Sequence, residues 1–148
     1  MRNAYWVEPG RLLAGPYPRP ELLPELVDAG VTAYIDLTQP GELDAYDHLI
    51  GDAVHHRLPI GDFGVPTDAE LTAMLDLIDE LLEDGQRVYV HCWAGVGRTG
   101  TVVACHLIRH GMPNADALAR IAALRAEIGR HDPSPEMPEQ RALVERWR

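Results

Sequence analysis

The segment that most constrains the fold is a short apolar strand that runs directly into a glycine-rich turn and then a helix. Residues 88–90 (VYV) supply the strand, and residues 91–100 (HCWAGVGRTG) supply the turn. Residues 101–110 continue as a helix that ends at Gly111. A strand, a tight turn and a helix in direct succession are typical of a sheet covered by helices. The segment therefore predicts an α/β fold.

The remaining segments alternate between helices and short strands. Strands are predicted at residues 31–37 and 53–60, and a short helix at residues 21–29. A longer helix begins at a capping box of Thr67 and Glu70 and ends at Gly85. Its predicted core stripe is Leu71, Leu75, Ile78 and Leu82.

Two further helices are expected in the C-terminal part of the chain. Asn114 is the expected cap of the first, and a proline-rich loop leads to the second at residues 140–147. Together the elements predict a central, mostly parallel sheet flanked by helices. With 148 residues and 46% hydrophobic content, a single domain spanning residues 1–148 is expected.

The charge of the chain limits its partners. All 13 basic residues are Arg, and 23 acidic residues bring the formal net charge to −10. This balance argues against nucleic acid or an anionic membrane surface as a general partner, because both need a basic footprint. The first ten residues lack the apolar core of a secretory signal, so a cytoplasmic location is expected.

The glycine-rich turn has the composition of an anion-binding loop. Gly95, Gly97 and Gly100 let the backbone curl so that successive N–H groups point inward, and the following helix N-terminus adds positive charge. Arg98 is placed to donate two parallel hydrogen bonds to phosphate oxygens. Cys92 ends the strand, where a helix N-terminus and a nearby cation favour the thiolate. The sequence predicts a thiolate nucleophile beneath a bound phosphate.

The same glycines also form a Gly-x-Gly-x-x-Gly pattern, which occurs in dinucleotide-binding folds. Such a fold needs a second strand that ends in an acidic residue about 20 residues further on. Residues 115–128 are instead helical in pattern, and Cys92 and Arg98 would have no role. The dinucleotide interpretation is therefore disfavoured.

The motif His91-Cys92-x5-Arg98-Thr99-Gly100 resembles the signature of the cysteine-dependent protein tyrosine phosphatase superfamily, in its small dual-specificity branch. The resemblance extends from PGRLLAGPYP through IDLT and LPIGDFGVPT to SPEMPEQ. It implies a phosphomonoester hydrolase that works through a phospho-cysteine intermediate. Cys92 would be the nucleophile, Arg98 would bind the phosphate, and Asp62 would be the general acid. Thr99 would donate a hydrogen bond to the Cys92 sulfur, and His91 would hold the loop.

Asp62 also fits the acid role by its position. It lies 30 residues before Cys92, on a loop after a predicted strand, with Gly61 and Gly64 beside it. An acid is needed because an alkoxide or phenoxide leaves poorly unless it is protonated. Alternatively Asp62 closes a turn, and the acid is Asp52 or Asp68, although Asp68 fits the first turn of a helix.

The resemblance places a water-orienting residue in the segment after the signature, where Glu136 and Gln140 match. An equally supported interpretation is a first-turn Glu and an exposed helical Gln. The predicted substrate-binding residues lie in the signature and in this segment: His91, Trp93, Ala94, Gly95, Val96, Gly97, Arg98, Glu136 and Gln140.

The sequence predicts neither a cofactor nor a metal. His106 and His110 have the i, i+4 spacing of two metal ligands, but the stretch lacks the Glu of a zinc-protease helix and no other ligand cluster is evident.

The resemblance implies a shallow site, because a chain of 148 residues lacks the inserted loops of classical tyrosine phosphatases. Trp93, Ala94 and Val96 are uncharged where inositol-phosphate members usually carry Lys, which favours phosphotyrosine or aryl phosphates. The expected partner is a phosphoprotein or a small phosphomonoester, and the oligomeric state is left open. Two other interpretations remain: a phosphate-binding pseudophosphatase, and a rhodanese-like sulfurtransferase, which gives Asp62 no role.

Overall fold

A five-stranded sheet forms the centre of the computed structural model, which describes residues 1–148. Its strands are β1 (Tyr5–Glu8), β2 (Leu12–Gly15), β3 (Ala33–Asp36), β4 (Val54–Arg57) and β5 (Val88–His91). They lie in the order β1-β2-β5-β3-β4. β1 pairs antiparallel with β2, and every other pair is parallel. The predicted α/β fold with a mostly parallel sheet is confirmed.

Helices cover both faces of this sheet. They are α1 (Leu23–Asp28), α2 (Asp68–Glu83), α3 (Gly97–Arg109), α4 (Asn114–Glu127) and α5 (Pro138–Arg146). The larger apolar core lies between the sheet and α2 to α5, and the smaller one lies beneath α1. Because successive side chains of a strand point to opposite faces, β5 contributes Val88 and Val90 to the larger core and Tyr89 to the smaller. No helix is long and apolar enough to cross a bilayer.

The predicted capping box at the start of α2 is confirmed. The Glu70 backbone N–H donates to Thr67 Oγ1 at 3.1 Å, and the Thr67 backbone N–H donates to Glu70 Oε1 at 2.8 Å. The four apolar residues of the predicted stripe are all buried. These local signals were sufficient to place the helix because each acts within a few residues of the chain.

Two features of the fold differ from the prediction. The β1–β2 hairpin was not among the predicted elements, although its two strands, of four residues each, are as long as the other three. Asn114 is not a helix cap, because Pro113 holds that position and Asn114 is the first residue of α4. The Asn114 amide instead donates to the carbonyls of Val144 and Trp147, at 2.7 and 2.8 Å, and so joins α4 to the C-terminal end of α5.

Candidate active site

The loop from β5 to α3 lies at the carboxyl edge of the sheet and is shaped by glycine. Gly95 has φ +78°, and a Cβ at this position would lie 2.5 Å from the carbonyl carbon of Gly15. Any side chain would therefore clash with β2 as well as strain the backbone. α3 begins at Gly97, so its first turn faces the same loop. We call residues 92–99 the signature loop.

Cys92 and Thr99 are in direct contact within this loop. Cys92 is 3% exposed, and the Thr99 hydroxyl donates a hydrogen bond to its Sγ at 3.0 Å. A donor at this position stabilises negative charge on sulfur, both in a thiolate and in a departing sulfur atom. The geometry is the one that the resemblance implies for Thr99.

The His91 side chain bonds to the backbone at the start of the signature loop. It is fully buried, and burial lowers its pKa to about 4, so the imidazole is neutral near pH 7. Its Nδ1–H donates to the Cys92 carbonyl at 2.9 Å, and its Nε2 accepts from the Tyr46 hydroxyl at 2.6 Å. Tyr46 was not among the predicted residues, because nothing in the local sequence around it indicates a partner 45 positions away.

The Arg98 guanidinium binds Glu42 through its two terminal nitrogens. Its Nη1 and Nη2 donate to the two carboxylate oxygens of Glu42, at 2.9 and 2.8 Å, and Nη1 also donates to the Ile60 carbonyl at 3.0 Å. These hydrogen bonds lower the pKa of Glu42, which therefore stays ionised. Nε takes part in none of them, and the edge formed by Nε and Nη2 is contacted by Asp62 Oδ1, 3.2 Å from Nη2; two parallel bonds from this edge to a phosphate require that Asp62 oxygen to move aside. Glu42, which follows β3 at the same sheet edge, was not among the predicted residues.

Asp62 is the one of the three candidate acids that lies beside Arg98. Its Oδ1 is 3.2 Å from Arg98 Nη2 and accepts from the Phe63 backbone N–H at 3.0 Å. Asp68 instead pairs with Arg146 at 2.9 Å. Asp52 precedes β4 and so lies at the opposite edge of the parallel sheet.

Gln140 is buried, which makes the interpretation of an exposed helical Gln wrong. It is 1% exposed; its Nε2 donates to the Gly64 carbonyl at 3.1 Å, and its Oε1 accepts from the Met137 backbone N–H, also at 3.1 Å. It therefore joins α5 to the loop that carries Asp62. Glu136 precedes α5 by two residues, so it is not a first-turn residue of that helix.

Seven of the predicted residues line a small cavity of about 160 Å³. Its walls are Asp62, Phe63, Cys92, Trp93, Ala94, Gly97, Arg98 and Glu136. The predicted substrate contacts His91, Gly95, Val96 and Gln140 are not part of these walls. Two large aromatic side chains stand at its mouth: Trp93 is 49% exposed and Phe63 is 54% exposed.

A second cavity of about 430 Å³ adjoins the first, and the two share Trp93 and Ala94. Three arginines contribute to its lining: Arg2, Arg19 and Arg130. Arg2 and Arg19 form no ion pair, and Arg130 pairs with Asp132 at 3.3 Å. One acidic residue, Glu21, also lines the cavity, so the three arginines leave a net positive charge there in a chain whose overall charge is −10. No local sequence pattern indicates this cluster, because the three arginines are far apart in the chain.

Comparisons with curated proteins show similarity to phosphatases. The chain is 34% identical over 113 residues to the putative tyrosine phosphatase 067L of Invertebrate iridescent virus 3, which covers 72% of the chain and 46% of the relative. It is 32% identical over 140 residues to the phosphatidylglycerophosphate phosphatase PTPMT2 of Arabidopsis thaliana, which covers 92% of the chain and 59% of the relative. The chain thus spans about half the length of these relatives.

Solved structures show the same fold. The phosphatase Tk-PTP in its active form superposes with a TM-score of 0.81 at 26% identity, covering 96% of this chain and 92% of the other. PTPMT1 superposes with a TM-score of 0.76 at 28% identity, covering 96% and 91%.

The family model described as "PTP-SAK: Swiss Army Knife protein, DSP-PTPase phosphatase domain" matches residues 1–144. This match covers the hairpin, the signature loop and the segment that holds Glu136 and Gln140. The chain therefore belongs to the PTP-SAK family of dual-specificity phosphatase domains, within the protein tyrosine phosphatase superfamily.

Proposed function

We propose that the chain hydrolyses phosphomonoesters through a phospho-cysteine intermediate. The observation that carries the proposal is the convergence of Cys92, Arg98 and Asp62 on one cavity of about 160 Å³. In the first step Cys92 Sγ forms a bond to phosphorus while the bond from phosphorus to the ester oxygen breaks. Asp62 gives its proton to that oxygen, which leaves as an alcohol or phenol.

Arg98 binds the phosphoryl group in this scheme. Glu42 fixes the guanidinium plane, and the edge of Nε and Nη2 faces away from Glu42. A phosphoryl oxygen pair on this edge takes the place of Asp62 Oδ1 beside Nη2. Asp62 then remains within a few ångströms of the phosphate, where it reaches the leaving oxygen.

A water molecule completes the reaction. Asp62, now a carboxylate, accepts a proton from this water as its oxygen attacks phosphorus and the bond from sulfur to phosphorus breaks. The Thr99 hydroxyl stabilises the thiolate that is released. Glu136 lines the cavity, so it is better placed than Gln140 to orient the water.

For the substrate, we propose phosphotyrosine in proteins or small aryl phosphates. Trp93 and Phe63 stand exposed on the cavity rim, where they offer aromatic surfaces to a phenyl ring. Exposed side chains of this size lose water-contacting apolar area when they pack on a ring, which favours aryl over alkyl esters.

A second candidate is a phosphorylated lipid headgroup with a further anionic group. The adjoining cavity is lined by Arg2, Arg19 and Arg130, whose positive charge favours a second anionic group in that cavity. Two similar proteins support it: PTPMT2 is named a phosphatidylglycerophosphate phosphatase, and PTPMT1 has been solved in complex with PI(5)P.

The first experiment tests the chemistry. Purified protein is assayed with p-nitrophenyl phosphate, with and without EDTA, and separately with thiosulfate and cyanide. The proposal is supported if the protein hydrolyses the phosphate ester, if Cys92→Ser abolishes this activity, and if Cys105→Ser retains it. Sulfur transfer to cyanide would support a sulfurtransferase, and phosphate binding without turnover would support a pseudophosphatase.

The second experiment separates the substrates. kcat/KM is compared for a phosphotyrosine peptide and for phosphatidylglycerophosphate in mixed micelles, using the unaltered protein, Arg19→Ala and Trp93→Ala. We expect Trp93→Ala to lower kcat/KM for the phosphotyrosine peptide more than it lowers kcat/KM for the lipid. A lipid preference that Arg19→Ala removes would favour the second candidate.

A further inference from the structure

A cluster of three possible metal ligands lies at the end of α3 that is remote from the signature loop. Two of them are the histidines with i, i+4 spacing, and the third comes from α2. His106 and His110 face Asp79 of α2. His110 Nε2 lies 2.8 Å from Asp79 Oδ1, and His106 Nδ1 lies 3.8 Å from the same oxygen. One ligand atom from each residue lies within 4.8 Å of the other two.

His106 has an unused ring nitrogen that points toward this group. The side chain is fully buried, and its Nε2–H donates to Glu8 Oε1 at 2.7 Å. The proton on Nε2 leaves a lone pair on Nδ1, which has no hydrogen-bond partner. A buried polar atom without a partner is costly, and proteins satisfy nearly all of them. The Nδ1 lone pair therefore needs a hydrogen-bond donor or a metal ion. The Asp79 carboxylate, at 3.8 Å, provides neither.

We propose that Asp79, His106 and His110 bind one divalent transition-metal ion, with Zn²⁺ the best match. Imidazole nitrogen and carboxylate oxygen are both ligands of zinc, and three protein ligands with one water complete a tetrahedral site. Bonds of about 2.0 to 2.2 Å place tetrahedral ligand atoms roughly 3.4 Å apart, which small side-chain rotations reach from the observed separations. The His110 side chain is 52% exposed, so water reaches the fourth position from its side.

Glu8 provides the second layer of this site. A metal-bound histidine commonly donates its other N–H to a carboxylate, which fixes the tautomer and raises the basicity of the ligating nitrogen. The bond from His106 to Glu8 has this arrangement. His110 loses its hydrogen bond to Asp79 when the metal binds, and its proton moves from Nε2 to Nδ1.

Arg109 does not block the metal position. Its Nη1 lies 2.7 Å from Asp76 Oδ1 and 3.3 Å from Asp79 Oδ2. The guanidinium therefore occupies the carboxylate oxygen that the histidines do not face, and it orients Asp79 Oδ1 toward them. A bound ion would join α2 to α3, and through Glu8 to β1, without contact with Cys92.

The test uses the Cys92→Ser chain, because the catalytic thiol is itself a ligand for zinc. Isothermal titration with Zn²⁺ should show one equivalent bound, and Co²⁺ should give the visible absorption of a tetrahedral site. Thermal unfolding at 100 times the dissociation constant should shift upward by about 5 to 10 °C. Because Ser replaces the nucleophile, the result does not depend on whether the chain is a phosphatase.

Variants decide whether the bound ion is at this site. Asp79→Asn and His110→Ala should lose the stoichiometric binding and the thermal shift, whereas the exposed His131→Ala should retain both. Glu8→Gln should weaken binding about 10- to 100-fold, because it removes the charge behind His106. His110 is half exposed, so its variant is expected to fold. Unchanged binding in Asp79→Asn or His110→Ala, or no binding at millimolar Zn²⁺, would overturn the proposal.

Discussion

Glu42 contacts both terminal nitrogens of Arg98, with Nη1 to Oε1 at 2.9 Å and Nη2 to Oε2 at 2.8 Å. The Arg98 side chain is 2% exposed and that of Glu42 is 21% exposed, so water reaches this ion pair only from the Glu42 side. A buried ion pair of this kind adds little net stability, but it fixes a geometry. Here the geometry is the direction of the free guanidinium edge that faces the cavity.

Glu42→Gln should therefore damage catalysis more than folding. The amide keeps one hydrogen bond but cannot accept from both nitrogens of Arg98, so the guanidinium is less well fixed. We expect kcat/KM to fall by about 10- to 100-fold. Steady-state kinetics with p-nitrophenyl phosphate measures this, with the exposed Glu83→Gln as a matched control. Equal kinetics of both variants would show that Arg98 needs no such support.

Asp62→Asn should change the pH profile. The proposed mechanism needs Cys92 ionised and Asp62 protonated, so we expect the rate to rise and then fall with pH in a bell. The variant should lose the alkaline limb, and esters with poor leaving groups should slow by about 100- to 10,000-fold. Esters with good leaving groups should slow less, because they need less protonation. Asp52→Asn is the control, since Asp52 lies at the other sheet edge. A full bell in Asp62→Asn would contradict the assignment.

Gln140→Leu should detach the loop that carries Asp62 from α5. The partly buried Gly64 carbonyl would lose its donor, at a cost of about 0.5 to 1.5 kcal/mol in the free energy of unfolding. As in Asp62→Asn, the fall in kcat/KM should be larger for esters with poor leaving groups than for esters with good ones. Chemical denaturation and kinetics with two aryl phosphates measure the two effects. A loss of stability with no dependence on the leaving group would limit Gln140 to a structural role.

His91 should make the fold sensitive to mild acid. Burial lowers its pKa from 6.5 to about 4, so between these values the unfolded chain binds a proton that the folded chain does not. The free energy of unfolding should therefore fall as the pH drops from 6.5 to 4, by about 3 kcal/mol in total. The carboxylate of Asp36, 3.9 Å from His91 Nε2, opposes this change but is outweighed by burial.

Denaturation of the unaltered protein and of His91→Asn across this range checks the sign. The variant should be less stable at pH 7 yet show a flatter profile between pH 6.5 and 4, because it lacks the group that titrates. A slope as steep as that of the unaltered protein would show that other groups dominate.

The sequence predicted those parts of the site that lie close together in the chain. Cys92, Arg98 and Thr99 fall within eight residues, and strand-turn-helix geometry alone brings them together. The residues that hold this segment come from elsewhere in the chain: Glu42 bonds to Arg98 across 56 positions, and Tyr46 bonds to His91 across 45. Their contacts follow from the strand order, which has no local signal in the sequence. The buried state of Gln140 was missed for the same reason, since its partner Gly64 lies 76 positions away.

The metal site illustrates the same limit. The spacing of His106 and His110 was visible in one helix, whereas Asp79 came into range only through the packing of α2 on α3.

Trapping the covalent intermediate tests the central claim most directly. The Cys105→Ser protein is mixed with an aryl phosphate, quenched rapidly and digested, and its peptides are examined by mass spectrometry. The account predicts one phosphoryl group on the peptide that contains Cys92, formed as fast as the phenol appears in the first turnover. A phosphoryl group on another residue, or turnover that persists in Cys92→Ser without any phosphorylated peptide, would contradict it.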